Sequence, residues 1–179
     1  MPDQRLYALS EKIGVVGKSS PFGGTVDLGW RKKRYEIKAA YNSRNVLEIP
    51  DHTRFRASAN ATAEQHFAHT FLHEMAHATG LKLECKRAIW NRFGSSAYAR
   101  EEMVADLTAY IMAHRLGLAP VSLAGVTWYI DNWSRAIKHE HRAEARAYAE
   151  REALRAADYL TKLWGEVSSK RSASVNTTN

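Results

Sequence analysis

The chain has 179 residues, a length that is most simply one domain with a substantial core. Its formal net charge is +7 at pH 7, and such a basic surface favours contact with polyanions such as nucleic acid. Its single cysteine, Cys85, excludes an intrachain disulfide and a Cys/His zinc finger and fits a reduced compartment. No apolar run approaches the roughly 18 residues that span a bilayer, and residues 1–6 lack a secretion-signal core, so we expect a cytoplasmic protein with no membrane partner.

The first part of the chain is predicted to contain one helix and three short strands. Apolar periodicity predicts a helix over residues 3–13. Strands are predicted at 26–28, 35–41 and 46–49, with a four-residue turn between the last two. The basic cluster at 31–34 is either a solvated hairpin turn, which we favour, or a phosphate contact.

The next segment carries a pattern that is typical of metal-dependent hydrolases, because residues 73–77 read HEMAH. On a helix, His73 and His77 lie on one face, so both rings can reach one metal ion. Glu74 is turned by about 100° from His73 and can act as a base on a water molecule beside the metal. The alternative is a histidine-rich amphipathic helix without a metal.

The helix that carries this pattern is predicted to run over residues 63–79, with Thr62 as its cap and Gly80 at its end. Two further histidines, His66 and His69, continue the stripe one and two turns earlier. They are either part of a second metal site or hydrogen-bonded side chains, and we favour the second interpretation.

The segment 81–97 mixes basic and aromatic residues, a combination that can bind single-stranded nucleic acid by stacking and charge. The favoured alternative is that Trp90 and Phe93 pack this connecting loop onto the core.

A second helix is predicted to carry the third ligand. Glu102 and Asp106 are four residues apart and share a helix face. One carboxylate can bind the metal while the other accepts the free N–H of a ligating histidine. Asp106 lies in an apolar stretch, where a carboxylate needs a partner. The alternative is that Glu101 and Glu102 only begin a helix, where acidic residues favour the dipole.

The neighbours of Glu102 have separate predictions. Glu101 points about 100° away from Glu102 and is predicted to be a solvated surface charge. Tyr98 is one turn before Glu102 and can project into the site, where a phenol stabilises an oxyanion. A packing role for Tyr98 is equally supported.

The last part of the chain is predicted to be helical. Gly117 and Pro120 mark a break, followed by helices over 122–138 and 141–164. The alternating charges of the second helix predict a solvated face with i,i+4 pairs. Residues 1–166 then form the domain, and residues 167–179 form a disordered tail.

The HExxH pattern followed by E-x-x-x-D resembles the thermolysin-like zincins called gluzincins. A longer resemblance is to the zincin-like metallopeptidase domain of ArdC-type antirestriction proteins, found also in polyvalent proteins of phages and plasmids. The segments that carry it are 40–50 (AYNSRNVLEIP), 70–80 (TFLHEMAHATG), 92–107 (RFGSSAYAREEMVADL), 129–133 (YIDNW) and 156–160 (AADYL).

This resemblance implies an α+β zincin-like metallopeptidase fold, mostly helical, with a small antiparallel sheet over the active-site helix. It implies that Glu102 is the third zinc ligand and that Asp106 supports a ligand from outside the coordination shell. The implied cofactor is one Zn²⁺ per chain, with Mn²⁺ or another divalent metal as alternatives. The family's N-terminal domain, which binds single-stranded DNA, is not expected within this chain length.

Two functions follow as hypotheses. The first is a zinc-dependent peptidase of a plasmid, phage or other mobile element, which hydrolyses a protein or peptide substrate with Glu74 as general base. It is implied to protect incoming DNA against host defence. The second is a DNA-associated antirestriction or binding protein, in which the metal site is structural and the basic surface makes non-specific DNA contacts.

Overall fold

The computed structural model describes residues 4–14, 16–20, 25–27, 32–34, 40–41 and 46–175, and the side chains of 4–14 and 46–166. Its α-helices are α1 (Gln4–Lys12), α2 (Ala63–Thr79), α3 (Ser96–Arg115), α4 (Leu123–Ser134) and α5 (Arg142–Val175), with 3₁₀ turns at His52–Arg54 and His139–His141. Its strands are β1 (Val16–Ser20), β2 (Thr25–Asp27), β3 (Lys32–Arg34), β4 (Ala40–Tyr41) and β5 (Val46–Pro50). The predicted turn between the last two strands and most of the predicted strand 35–41 lie outside the described residues.

The described strands form a small mixed sheet and a separate antiparallel pair, β2 with β3. In the sheet, β5 is central, β4 pairs with it antiparallel and β1 pairs with it parallel. The sheet is therefore not purely antiparallel as predicted, because β1 enters in the same direction as β5. The basic residues Lys32–Arg34 pair with Thr25–Asp27 as strand β3 and do not form the predicted turn. Both β4 and β5 contact α2.

Helix α2 begins and ends where the sequence predicts. Thr62 and Gln65 form a capping box: Gln65 N donates to Thr62 Oγ1 at 3.2 Å, and Thr62 N donates to Gln65 Oε1 at 2.7 Å. At the other end, Gly80 lies so close to Ile89 that a Cβ there would collide with the Ile89 side chain. Glycine therefore lets the connecting loop return against the end of α2.

Helix α3 is central and contacts α2, α4 and α5. Helix α5 presents a row of small buried residues toward the core: Ala145, Ala149, Ala153, Ala156 and Ala157. Methyl side chains let two helix backbones approach closely, which suits the long contact between α3 and α5. Most charged side chains of α5 are exposed as predicted. Glu152 is buried instead and accepts hydrogen bonds from Arg151 and Arg155.

Two further features concern the ends of the helices and their hydropathy. Helix α5 continues through 167–175, a stretch that we predicted to be disordered. The physical reason is that a stable helix can extend into a following polar sequence when that sequence contains no helix-breaking residue. Within the described part of the chain, no helix combines the length and the apolar character needed to cross a membrane.

Replacing Phe71 with alanine should destabilise the fold by about 3–5 kcal/mol, because a fully buried ring is exchanged for a cavity. Phe71 lies in the core on the side of α2 away from the histidines, with its ring 5.1 Å from that of Tyr7. Chemical denaturation of metal-free protein measures the change. The control is Leu83→Ala, since Leu83 is 88% exposed and its loss should change stability by less than about 0.5 kcal/mol.

Candidate metal centre

Two helices bring three potential ligands together. Helix α2 supplies His73 and His77, whose ring centroids are 4.9 Å apart, and α3 supplies Glu102. His73 Nε2 lies 3.5 Å from Glu102 Oε2, and His77 Nε2 lies 3.6 Å from Glu102 Oε1. One ligand atom from each of the three residues lies within 4.8 Å of the other two. These residues are therefore close enough to hold one metal ion.

The separations also fit such an ion. Ligand atoms bound at about 2.0–2.2 Å in tetrahedral geometry lie about 3.3–3.6 Å from one another. The shortest separation from each histidine to Glu102, 3.5 Å to Oε2 for His73 and 3.6 Å to Oε1 for His77, is of that size and is long for a hydrogen bond. Two imidazoles and one carboxylate suit Zn²⁺ and other divalent transition metals.

Glu102 is held ionised for this role. It is buried, and Tyr129 Oη from α4 donates a hydrogen bond to its Oε2 at 2.7 Å. Burial alone would raise its pKa, but the neighbouring His73, the charge of His77 and the Tyr129 hydroxyl together lower the pKa of Glu102 to about 2. No pattern in the sequence assigned Tyr129 to the site, because it lies on a third helix.

His77 is held on its other ring nitrogen by Glu101. His77 Nδ1 lies 3.2 Å from Glu101 Oε1, and Glu101 is 5% exposed. The prediction that Glu101 is a solvated surface charge is therefore wrong. The physical reason is a buried guanidinium: Arg87 of the connecting loop donates to both carboxylate oxygens and makes burial of Glu101 favourable.

His73 has a different neighbour, which is Asp106. Asp106 Oδ1 lies 3.8 Å from His73 Nδ1 and 2.7 Å from His69 Nε2. Burial opposes ionisation of Asp106, but the hydrogen bond with His69 and the nearby ring of His73 outweigh it and lower its pKa. Asp106 is therefore hydrogen-bonded to His69, and its predicted pairing with the ligand candidate His73 stays a prediction, because 3.8 Å is too long for a hydrogen bond.

The two additional histidines form hydrogen bonds. His69 contacts Asp106, and His66 Nε2 lies 2.8 Å from Ser58 Oγ. Among the described residues, the groups of three that could hold a metal reduce to His73, His77 and Glu102. The structure therefore favours the hydrogen-bonded interpretation over a second metal site.

A cleft of about 790 Å³ opens onto these residues. Glu74 lines it and is mostly buried. The aromatic residues of its wall are Trp90, Phe93, Tyr98, Trp128, Tyr129 and Trp133. The charged residues of its wall are Glu74, Glu101, Glu102 and Asp106, and none of the described residues that line it is a lysine or arginine.

The aromatic wall corrects one prediction and bears on another. Trp90 and Phe93 are 57% and 68% exposed, so they do not pack the loop into the core but stand at the cleft. Tyr98 faces the cleft, with its ring 5.1 Å from Phe93 and 5.2 Å from Trp133. Burial and the charge of Glu102 raise the pKa of the Tyr98 phenol, which therefore stays protonated at neutral pH.

An HExxH helix packed on a second helix that carries a glutamate at the same centre defines the zincin-like class of metallopeptidase folds. A family model described as a zincin-like metallopeptidase matches residues 28–150. The chain belongs to this zincin-like metallopeptidase family.

Comparisons with known proteins agree with this assignment. The fold is similar to the crystal structure of the Mn(II)-bound antirestriction ArdC protein from plasmid R388, with a TM-score of 0.55 and 20% identity over 93% of this chain and 53% of that chain. That likeness concerns the fold. Together with the family match, it confirms the predicted resemblance to ArdC-type zincin-like domains.

Two curated relatives match by sequence. The chain is 32% identical over 101 residues to the uncharacterized protein y4eC of Sinorhizobium fredii, which is 56% of this chain and 31% of that protein. It is 30% identical over 114 residues to the DNA primase TraC of Escherichia coli, which is 63% of this chain and 10% of that protein. The chain thus spans less than a third of each of these relatives.

Proposed function

We propose that this domain hydrolyses peptide bonds with one divalent metal ion held by His73, His77 and Glu102. The observation that carries the proposal is that His73, His77 and Glu102 each place one ligand atom within 4.8 Å of the other two, which is close enough to hold one ion. We propose Zn²⁺ as the metal, although the similar ArdC protein carries Mn(II). When bound, such an ion polarises a carbonyl group and makes nearby water more acidic.

Glu74 performs the proton transfers in this proposal. Its carboxylate accepts a proton from the attacking water as the oxygen–carbon bond forms. It then delivers the proton to the nitrogen of the leaving amine as the carbon–nitrogen bond breaks. Its position in the cleft wall, next to the ligand candidate His73 in the chain, supports this role.

Two phenols flank the reaction site. Tyr129 lies against Glu102, and Tyr98 lies one turn before Glu102 on α3. Burial and the charge of Glu102 raise the pKa of both phenols, so each keeps its proton. We propose that Tyr98 donates a hydrogen bond to the developing oxyanion, while Tyr129 holds Glu102 in place.

The composition of the cleft wall supports a peptide substrate. Its aromatic residues offer apolar contact area, and four carboxylates and four histidines lie among its polar residues. The described wall residues include no lysine or arginine that could pair with the phosphates of a polyanionic strand. An extended peptide could also pair with strand β4, which is the outer strand of the sheet among the described residues and contacts α2.

The biological setting that we propose is antirestriction by a mobile element. Its support is the similarity of this fold to an antirestriction protein from a plasmid. In that setting, the peptidase would act on a host protein in the cytoplasm.

A second candidate function is DNA association with a structural metal site, which the net charge of +7 favours. It predicts DNA binding that weakens steeply with salt and survives Glu74→Gln. Absence of affinity for single- and double-stranded DNA at low salt would eliminate it.

The direct test is incubation of the metal-loaded chain with a peptide library and identification of the products by mass spectrometry. Internal cleavage that requires the metal is the expected result. A chain that binds one metal ion and cleaves no peptide would contradict the peptidase function and leave DNA association as the explanation.

The aromatic wall should determine substrate affinity. We expect Trp128→Ala to raise KM about tenfold, since loss of one aromatic contact of about 1.4 kcal/mol changes binding by that factor. Leu123→Ala is the matched control, because Leu123 is on the same helix and similarly exposed but does not line the cleft. Steady-state kinetics on the best library peptide measures both variants, and equal KM values would contradict this role of the wall.

A further inference from the structure

Arg87 is a buried arginine that reaches the metal centre from the connecting loop between α2 and α3. Its side chain is 1% exposed. Nε donates to Glu101 Oε2 at 2.9 Å, and Nη2 donates to Glu101 Oε1 at 3.0 Å. This two-pronged contact fixes the plane of the Glu101 carboxylate, as a single-point contact from lysine would not.

The fixed carboxylate in turn holds His77. Glu101 Oε1, which accepts from Arg87 Nη2, also lies 3.2 Å from His77 Nδ1. A carboxylate at that nitrogen keeps its proton on Nδ1 and leaves Nε2 free to bind a metal. The ring of His77 is therefore oriented by a chain of contacts that starts at Arg87.

The same guanidinium also secures the backbone beneath His77. Arg87 Nη2 donates to the carbonyl of Ala76 at 2.8 Å, and Nη1 donates to Thr79 Oγ1 at 3.1 Å. The backbone N of Arg87 donates to the carbonyl of Gly80 at 2.9 Å. The last turn of α2 is thus held both through the ring of His77 and through the backbone of the turn.

We infer that Arg87 is a positioning residue that sets the metal affinity of the centre through Glu101 and His77. The inference rests on the proposed metal site but not on peptide hydrolysis. The simpler alternative is a buried ion pair that contributes only to folding. The two differ because only a positioning role changes metal affinity in chains that remain folded.

The test measures metal affinity and metal-free stability separately. Zn²⁺ affinity is obtained by competition with a chelator of known affinity, and the visible spectrum of bound Co²⁺ reports the coordination geometry. The variants are Arg87→Lys, Glu101→Gln and the double variant Arg87→Gln/Glu101→Gln, which avoids leaving one buried charge alone. The control is Arg115→Gln, whose parent residue bridges α3 to α5 through an exposed pair with Asp158.

We expect Arg87→Lys, Glu101→Gln and the double variant to bind Zn²⁺ about 10–100-fold more weakly, with an altered Co²⁺ spectrum, while most of each population remains folded. Arg115→Gln should bind like the parent chain. Parent-like affinity in the folded double variant would overturn the inference, as would a loss that matches the unfolded fraction. A parent chain that binds metal but cleaves no peptide would instead contradict only the proposed function.

Discussion

Glu74→Gln will retain one metal ion per chain and lose peptide hydrolysis by roughly 10²–10⁴-fold or more. The amide has nearly the same shape as the carboxylate, so the fold and the three ligands should stay in place. It cannot accept the proton of the attacking water at neutral pH, so the proposed transfer to the leaving amine stops. Elemental mass spectrometry gives the metal content, and single-turnover kinetics gives the rate.

The control for this prediction is Glu64→Gln, which makes the same chemical change at an exposed position in the first turn of α2. It should cleave like the parent chain. If Glu74→Gln cleaves as fast as this control, Glu74 is not the general base. Loss of metal in Glu74→Gln would instead show that the residue supports the ligands.

His73→Ala will remove the metal. The substitution deletes one of three ligands and leaves Glu102 and Asp106 as buried carboxylates with one fewer partner each. We expect a larger loss of affinity than the about 10–100-fold that removal of an outer partner costs. Chelator competition and elemental mass spectrometry measure the change, and far-UV circular dichroism verifies the fold.

His141→Ala is the matched control for this prediction, because His141 is exposed in the turn before α5 and away from the centre. It should keep the parent affinity. Equal metal retention in both variants would show that His73 is not a ligand. A parent chain that takes up neither Zn²⁺ nor Mn²⁺ under metal-replete conditions would contradict the metal centre as a whole.

The support of the two histidines is unequal. His77 contacts Glu101 through Nδ1, and Glu101 accepts two hydrogen bonds from Arg87. The Nδ1 of His73 lies 3.8 Å from a carboxylate that it shares with His69. We therefore expect a change in the orientation of the His73 ring to lower the metal affinity less than the same change in the His77 ring.

The residues at the centre of the site were predictable because local rules relate them. The 3.6-residue helical period alone places His73 and His77 on one face of α2. It likewise places Glu102 and Asp106 on one face of α3. The cap at Thr62 and the end of α2 at Gly80 follow from short-range hydrogen bonding and chain sterics. No tertiary information is needed for these assignments.

The surroundings of the site were predicted less well because tertiary contacts determine them. Arg87 is 14 residues from Glu101, and Tyr129 is 27 residues from Glu102. No periodicity connects positions in a loop or on a third helix to those in α3. The burial of Glu101 could have been suspected from the apolar residues that follow it, but the sequence does not identify the cation that compensates it.

The primary sequence alone thus predicted two helices that carry candidate metal ligands and indicated the family resemblance, since both depend on residues that are neighbours in the chain or on one helix. The packing of α2, α3, α4 and the connecting loop decided the rest. It buried Glu101 on Arg87, placed the Tyr129 hydroxyl on Glu102 and left Trp90 and Phe93 exposed at the cleft. The physical reason is that burial and charge pairing depend on which distant segments meet, and this is settled only when the core forms.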